Sequence, residues 1–233
     1  MFCIKIANIP IGIDNRYPYV RNLCEDYEIN DEEPDFTVSA AREEILAEQN
    51  GDRRFSYGYC ESLCIYRKIC THLLQYDAFL MHSAAIALDD EAYVFAAPSG
   101  VGKTTHIRLW QQEFGGRVSV INGDKPIYRF MEDDLYVCGT PWRGKEGLGS
   151  NIMRPVRAIC FLEQDSGNHI RPLNIDEISR RIFSQVLIPQ ETEDFDRFWS
   201  LLEKMVTSEK FYELKCNRQP EAARLAYQTM RSK

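Results

Sequence analysis

A chain of 233 residues with 44% hydrophobic content and a net charge of −7 can bury a full core as one large domain, or as one domain with a small appendage. Its acidity disfavours a nucleic-acid partner, because duplex binding asks for a basic face, and no apolar run approaches the length that crosses a membrane. Eight cysteines without an export signal read as free thiols in the reducing cytoplasm rather than as a disulfide framework.

Residues 1–50 read as a small β-rich module. Strands are expected at 2–7 and 35–38 and a short helix at 43–49. The acidic run Glu25-Asp26-Tyr27-Glu28-Ile29-Asn30-Asp31-Glu32-Glu33 between them reads as a solvated loop, since like charges repel and stay wet. Residues 51–233 then form the main domain. Over 62–76, Leu63, Tyr66, Ile69, Cys70, Leu73 and Leu74 recur at helical spacing and mark one buried face. Cys60, Cys64 and Cys70 lack the Cys-x-x-Cys or His-x-x-x-His spacing of a zinc site and read as core or surface thiols.

Residues 80–97 read as a β-hairpin turning at Asp89-Asp90, which pairs residue 88 with 91 and hence 82 with 97. The second strand runs into Ala97-Pro98-Ser99-Gly100-Val101-Gly102-Lys103-Thr104-Thr105. Ser99, Gly100, Val101 and Gly102 supply a bend whose N–H groups can face an anion. A helix over 103–114, closed by Gly115-Gly116, brings its positive end to the same place. In a phosphate loop of this pattern Lys103 reaches the β- and γ-phosphates and the Thr104 hydroxyl holds Mg²⁺, with Thr105 beside them in the nucleotide-binding set. Ala97 stands where the pattern has its first glycine, a change the fold accepts only if that residue needs no positive φ. A lone histidine on an apolar strand is ordinarily a core residue, but the expected register sets His82 beside the loop entrance. His106 and Trp110 share a helix face and read as packing residues.

A strand at 119–121 leads to Asn122-Gly123-Asp124. A carboxylate at a strand end beside a phosphate loop is what a metal-side ligand requires, so Asp124 is the candidate, although Asn-Gly is also a turn signal. Strands at 127–130 and 135–138 deliver the loop 139–151, whose Arg143 and Lys145 are candidates for the phosphoryl or acceptor side. A near-continuous apolar strand at 156–163, helices at 175–186 and 192–206, a strand at 211–214 and a last helix at 221–230 complete the chain without a catalytic constellation of their own.

Taken in order, His82-Ser83, the loop ending in Lys103-Thr104, and the acidic segment ending in Asp124 resemble the motifs of the HPr kinase/phosphorylase family over about 80–151. That family shares its fold with ATP-dependent phosphoenolpyruvate carboxykinase. The resemblance implies an α/β fold with a mixed-sheet P-loop kinase core of that type, carrying the N-terminal β-rich module and C-terminal helices. It also implies a cytoplasmic, Mg-dependent kinase that moves a phosphoryl group from ATP or a related donor to a hydroxyl, such as serine, of a protein, peptide or small molecule. Ser99 to Thr105 would then hold the nucleotide, Thr104 and Asp124 the metal, and His82 and Asp124 would act in transfer. Two departures stand out: Ser83 replaces the glycine that usually follows the histidine, and Gly123 replaces one of two aspartates. No segment matches the signature associated with dephosphorylation, so phosphorylase activity is not expected. The single aspartate keeps open a non-catalytic ATP-binding regulatory module, and a carboxykinase-like enzyme is the third reading.

Overall fold

The structure is a computed structural model and describes residues 1–232. Ser56 opens helix α3 (Tyr57–Leu73) by accepting a hydrogen bond from the Tyr59 N–H at 3.2 Å, which satisfies an amide that a helix start leaves bare. Ile65, Ile69 and Leu73 are fully buried on its inner face, each contributing roughly 1.5–3 kcal/mol through apolar burial. They share a core with a four-stranded sheet of β1 (Phe2–Ile6), β2 (Ile9–Asp14), β3 (Glu28–Ile29) and β4 (Phe36–Ser39), ordered β3-β1-β2-β4. Strand β2 is absent from the sequence reading. Its turn from β1 uses Ala7 and Asn8, both at positive φ (52° and 62°), where a glycine-bearing pair is the usual signal. Helices α1 (Pro18–Leu23) and α2 (Arg42–Gln49) contribute Val20 and Ile45 to the same core.

The second sheet is mixed and curled. It runs β5 (Ala78–Leu80), β9 (Ile127–Met131), β10 (Asp134–Cys138), β11 (Met153–Gln164), β7 (Glu91–Ala96), β6 (Ala84–Leu88) and β8 (Ser119–Asn122). Strands β13 (Phe211–Cys216) and β12 (His169–Pro172) continue from β11. The long β11 makes the curl: it starts antiparallel to β10, then runs parallel to β7 on one edge and to β13 on the other. Helices α4 (Lys103–Phe114) and α7 (Glu221–Met230) cover one face, and α5 (Ile175–Ile182) and α6 (Thr192–Ser208) the other. All eight cysteines are free thiols. No helix among the described residues is long and apolar enough to cross a membrane.

Three expectations need correction. The acidic run 25–33 is not a solvated loop throughout, since Glu28 and Ile29 pair with β1 and Tyr27 is buried. The hairpin register holds from Leu88↔Glu91 to Ala84↔Phe95, but the strand ends there and His82 lies on no strand. The segment 78–80 pairs with β9 instead. Residues 81–83 are taken by other partners: Met81 bridges Val186, the His82 N–H donates to the Gln185 carbonyl at 2.5 Å, and the Ser83 N–H donates to the Asp124 carbonyl at 3.2 Å. The helix expected at 175–186 stops at Ile182 for the complementary reason, since Val186 is drawn into the bridge with Met81. Strand β12, exposed along most of its length, carried no apolar signal.

Candidate functional site

Strand β7 delivers the loop 97–102 to the first turn of α4. Ala97 is not among the residues with positive φ, so the missing glycine costs nothing there, whereas Gly102 has φ 124° as the residue that starts α4, a conformation side-chained residues rarely adopt. The amides of Lys103, Thr104 and Thr105 lie in the first helical turn, where backbone N–H groups have no intrahelical acceptor. Lys103 is buried and its ammonium donates to the Ala97 carbonyl at 2.7 Å. Burial lowers its pKa, and the negative charge of Asp124 opposes that shift without cancelling it.

Asp124 faces this loop across a cleft of about 1000 Å³ whose lining includes His82, Ser99, Gly102, Lys103, Thr104 and Asp124. His82 Nε2 stands 3.1 Å from Asp124 Oδ1, and Lys125 Nζ 3.9 Å from Oδ2. Burial alone raises the pKa of Asp124. The hydrogen bond from His82, with the charges of His82, Lys125 and Lys103, outweighs that and holds it below the ordinary carboxylate value. His82 thus reaches the cleft from the link between β5 and β6, not from a strand in register with the loop.

The residue that shapes this corner is Asn122, which the sequence reading passed over as a turn former. Fully buried at the end of β8, its Oδ1 accepts from the Asp124 and Lys125 N–H groups, both at 2.8 Å, and its Nδ2 donates to Thr140 Oγ1 at 3.0 Å. One side chain therefore fixes both the carboxylate and the start of the loop 139–151. Trp142 anchors the loop further, stacking on Tyr66 with ring centroids 4.0 Å apart and donating Nε1–H to the Ser62 carbonyl. A Cβ on Gly144 would sit 2.8 Å from Asp124 Cβ, so only glycine lets the loop close on that residue. A Cβ on Gly123 would lie 3.2 Å from the Leu148 carbonyl oxygen, so a second aspartate there would press on the loop and require it to shift slightly.

Gln185 is the other residue the sequence did not signal. With its amide turned to satisfy its neighbours, it donates to the Ala97 carbonyl (3.2 Å) and the His82 carbonyl (3.1 Å), tying the loop entrance to the histidine. Arg143 lies on the far wall. Its guanidinium pairs with Asp26 at 2.7 Å and sits over the Tyr27 ring, and Asp26 holds its pKa up against the lowering effect of burial. Lys145 is exposed on the rim of the cleft. His106 is buried in the core behind the loop, accepting from Trp110 Nε1 at 3.0 Å, and burial drives its pKa down to about 3.

The oxygen donors Thr104 and Asp124 are of the type Mg²⁺ takes, and two protein ligands suffice for an ion that keeps waters and phosphate oxygens. No cluster of three or more His, Cys, Asp or Glu exists among the described residues, so an all-protein metal cage is absent there.

No protein-family model matches the sequence, and no curated protein matches it. Among solved structures, the chain is similar to the Hpr(Ser) kinase/phosphatase from Coxiella burnetii, with a TM-score of 0.37 and 8% sequence identity. That similarity covers 66% of this chain and 99% of that one.

Proposed function

We propose that the protein is a Mg-dependent phosphotransferase that moves the terminal phosphoryl group of ATP to a hydroxyl acceptor. One observation carries the reading: the glycine loop, the buried Lys103 and the His82–Asp124 pair converge on a single cleft. On this reading residues 51–233 form the catalytic domain and residues 1–50 an appended module that contributes Tyr19 and Asp26 to the far wall.

The loop amides and Lys103 hold the phosphates, and Thr104 and Asp124 hold Mg²⁺, which when bound neutralises phosphate charge. The acceptor hydroxyl loses its proton to the His82–Asp124 pair as its oxygen bonds to phosphorus, while the bond to the departing ADP breaks. The lowered pKa of Asp124 keeps it ionised at neutral pH, so its charge orients His82 and stabilises the imidazolium that forms as the proton is taken. Catalysis here is positioning and charge stabilisation, which rigid supports such as Asn122 favour.

The test is to incubate the protein with labelled ATP, Mg²⁺ and a panel of serine-bearing proteins, peptides and free serine. Acceptor labelling that Asp124→Asn abolishes is expected. In parallel, Mg-ATP should raise the Tm of the unmodified protein by mass action, and Lys103→Ala should remove most of that shift. No shift at millimolar nucleotide would end the nucleotide reading, whereas a shift without any labelling would favour a regulatory binding module.

A further inference from the structure

Phe183, just beyond α5, and Phe195 and Trp199, one turn apart on α6, are 41%, 40% and 46% exposed. They form a stacked ladder. The Phe183 and Trp199 centroids are 5.8 Å apart with planes at 16°, and those of Phe195 and Trp199 are 6.1 Å apart at 24°. Ile175 and Ile188 from the same stretch are also exposed. Large apolar groups gathered in this way on a folded surface mark an interaction site, and aromatic rings are enriched in such surfaces.

The charges decide what the site takes. Glu191, Glu193, Asp194, Asp196 and Glu203 have no ion-pair partner among the described residues, while the two cations of α6 are turned away: Arg197 to Asp77, and Lys204 to Asp133 and the Phe130 ring. Among the described residues Arg180 is the one cation of α5 and α6 without an ion pair, since Arg181 is held by Glu213. A second copy stacked on the ladder about a twofold axis would bring two such carboxylate sets together, and like charges in an interface are costly. An anionic membrane is repelled for the same reason. A polypeptide that alternates apolar side chains with lysine or arginine satisfies both features, its cations pairing with the carboxylates and lying over Trp199, the best cation–π acceptor.

We propose that the α5–α6 face docks a basic, apolar polypeptide segment. The proposal stands independently of phosphoryl transfer.

Trp199 is its reporter, because Trp110 and Trp142 are buried. The probe is a synthetic amphipathic helix of lysine and leucine, compared with the same peptide carrying glutamate for lysine. The basic peptide should protect Trp199 from acrylamide quenching, and the acidic one should bind at least about tenfold more weakly. Asp196→Lys with Glu203→Lys should weaken binding by a similar factor, as should Trp199→Ser read from the anisotropy of labelled peptide. Asp31→Lys with Glu33→Lys, in the distant acidic loop, should leave binding within about twofold. The proposal fails if the loop pair does equal damage, since the attraction is then to net charge alone. It fails equally if the basic peptide does not bind, if phosphatidylserine vesicles bind this face instead, or if sedimentation shows a dimer that Trp199→Ser dissolves.

Discussion

On one side of the cleft, Ser99, Gly102, Lys103 and Thr104 come from a single strand, loop and helix. The opposite side takes Tyr19 and Asp26 from the N-terminal module, Tyr59 from α3, and Arg143 from a loop 117 residues beyond Asp26. The first wall is held by local backbone geometry and by the core behind α4. The second exists only while the small sheet, α3 and the 139–151 loop stay docked, so it is the wall more exposed to partial opening. Glu61 shows how it is secured. This fully buried carboxylate on α3 accepts the Arg16 N–H at 2.6 Å and the Tyr17 N–H at 3.0 Å, clasping the segment that leads into α1.

The sharpest way to break the assembled wall is therefore Glu61→Ala. It strands two amides and should cost about 3 kcal/mol in urea-unfolding stability; a loss below ~1 kcal/mol would show that the clasp is dispensable. Next in size is Asp124→Asn, which keeps shape and loses charge. Turnover should fall at least a hundredfold, about 2.7 kcal/mol of barrier, while Mg-nucleotide affinity stays within about tenfold. Intact turnover on a competent acceptor would remove Asp124 from the catalytic set.

The local wall is backed by a dry core, and His106 measures how dry. Its folded pKa of about 3 lies below the ordinary value of 6.5, so the unfolded state binds the extra proton between those limits. The stability it supports is complete above pH 6.5 and is lost as pH falls toward 3, amounting to about 2 kcal/mol by pH 5. Tm measured across that range should decline less in His106→Gln; parallel profiles would mean that another group governs the acid limb. The smallest effect is expected across the cleft. Arg143→Met should raise the acceptor KM about tenfold, roughly 1.4 kcal/mol, with nucleotide binding unchanged. If nucleotide affinity falls instead, the far wall is not an acceptor surface.

How much of this was legible follows from what each feature depends on. The loop 97–102, the start of α4 at Lys103 and its end at Gly115 were readable, because a strand, glycines and a helix stop act over a few residues. The Asp89–Asp90 turn was readable too, and with it the β6–β7 register. The place of His82 was not. Extending that register two residues further assumed that nothing else competes for the backbone, whereas β9, the Gln185 carbonyl and the Val186 bridge do. Asn122 looked like half of a turn signal, and nothing nearby says that its side chain holds Asp124 and the Thr140 loop at once.

What the sequence by itself determined is the strand, glycine loop and helix over 91–114, the amphipathic α3 and the presence of most strands, since steric preferences and hydrophobic period act within one element. Only the tertiary structure decided that His82 meets Asp124, that Arg143 meets Asp26, and that the 139–151 loop packs close against Gly123. Those contacts join residues 42 and 117 positions apart in the first two cases. They depend on how sheets and loops pair once hydrophobic burial has brought them together, which local periodicity does not encode.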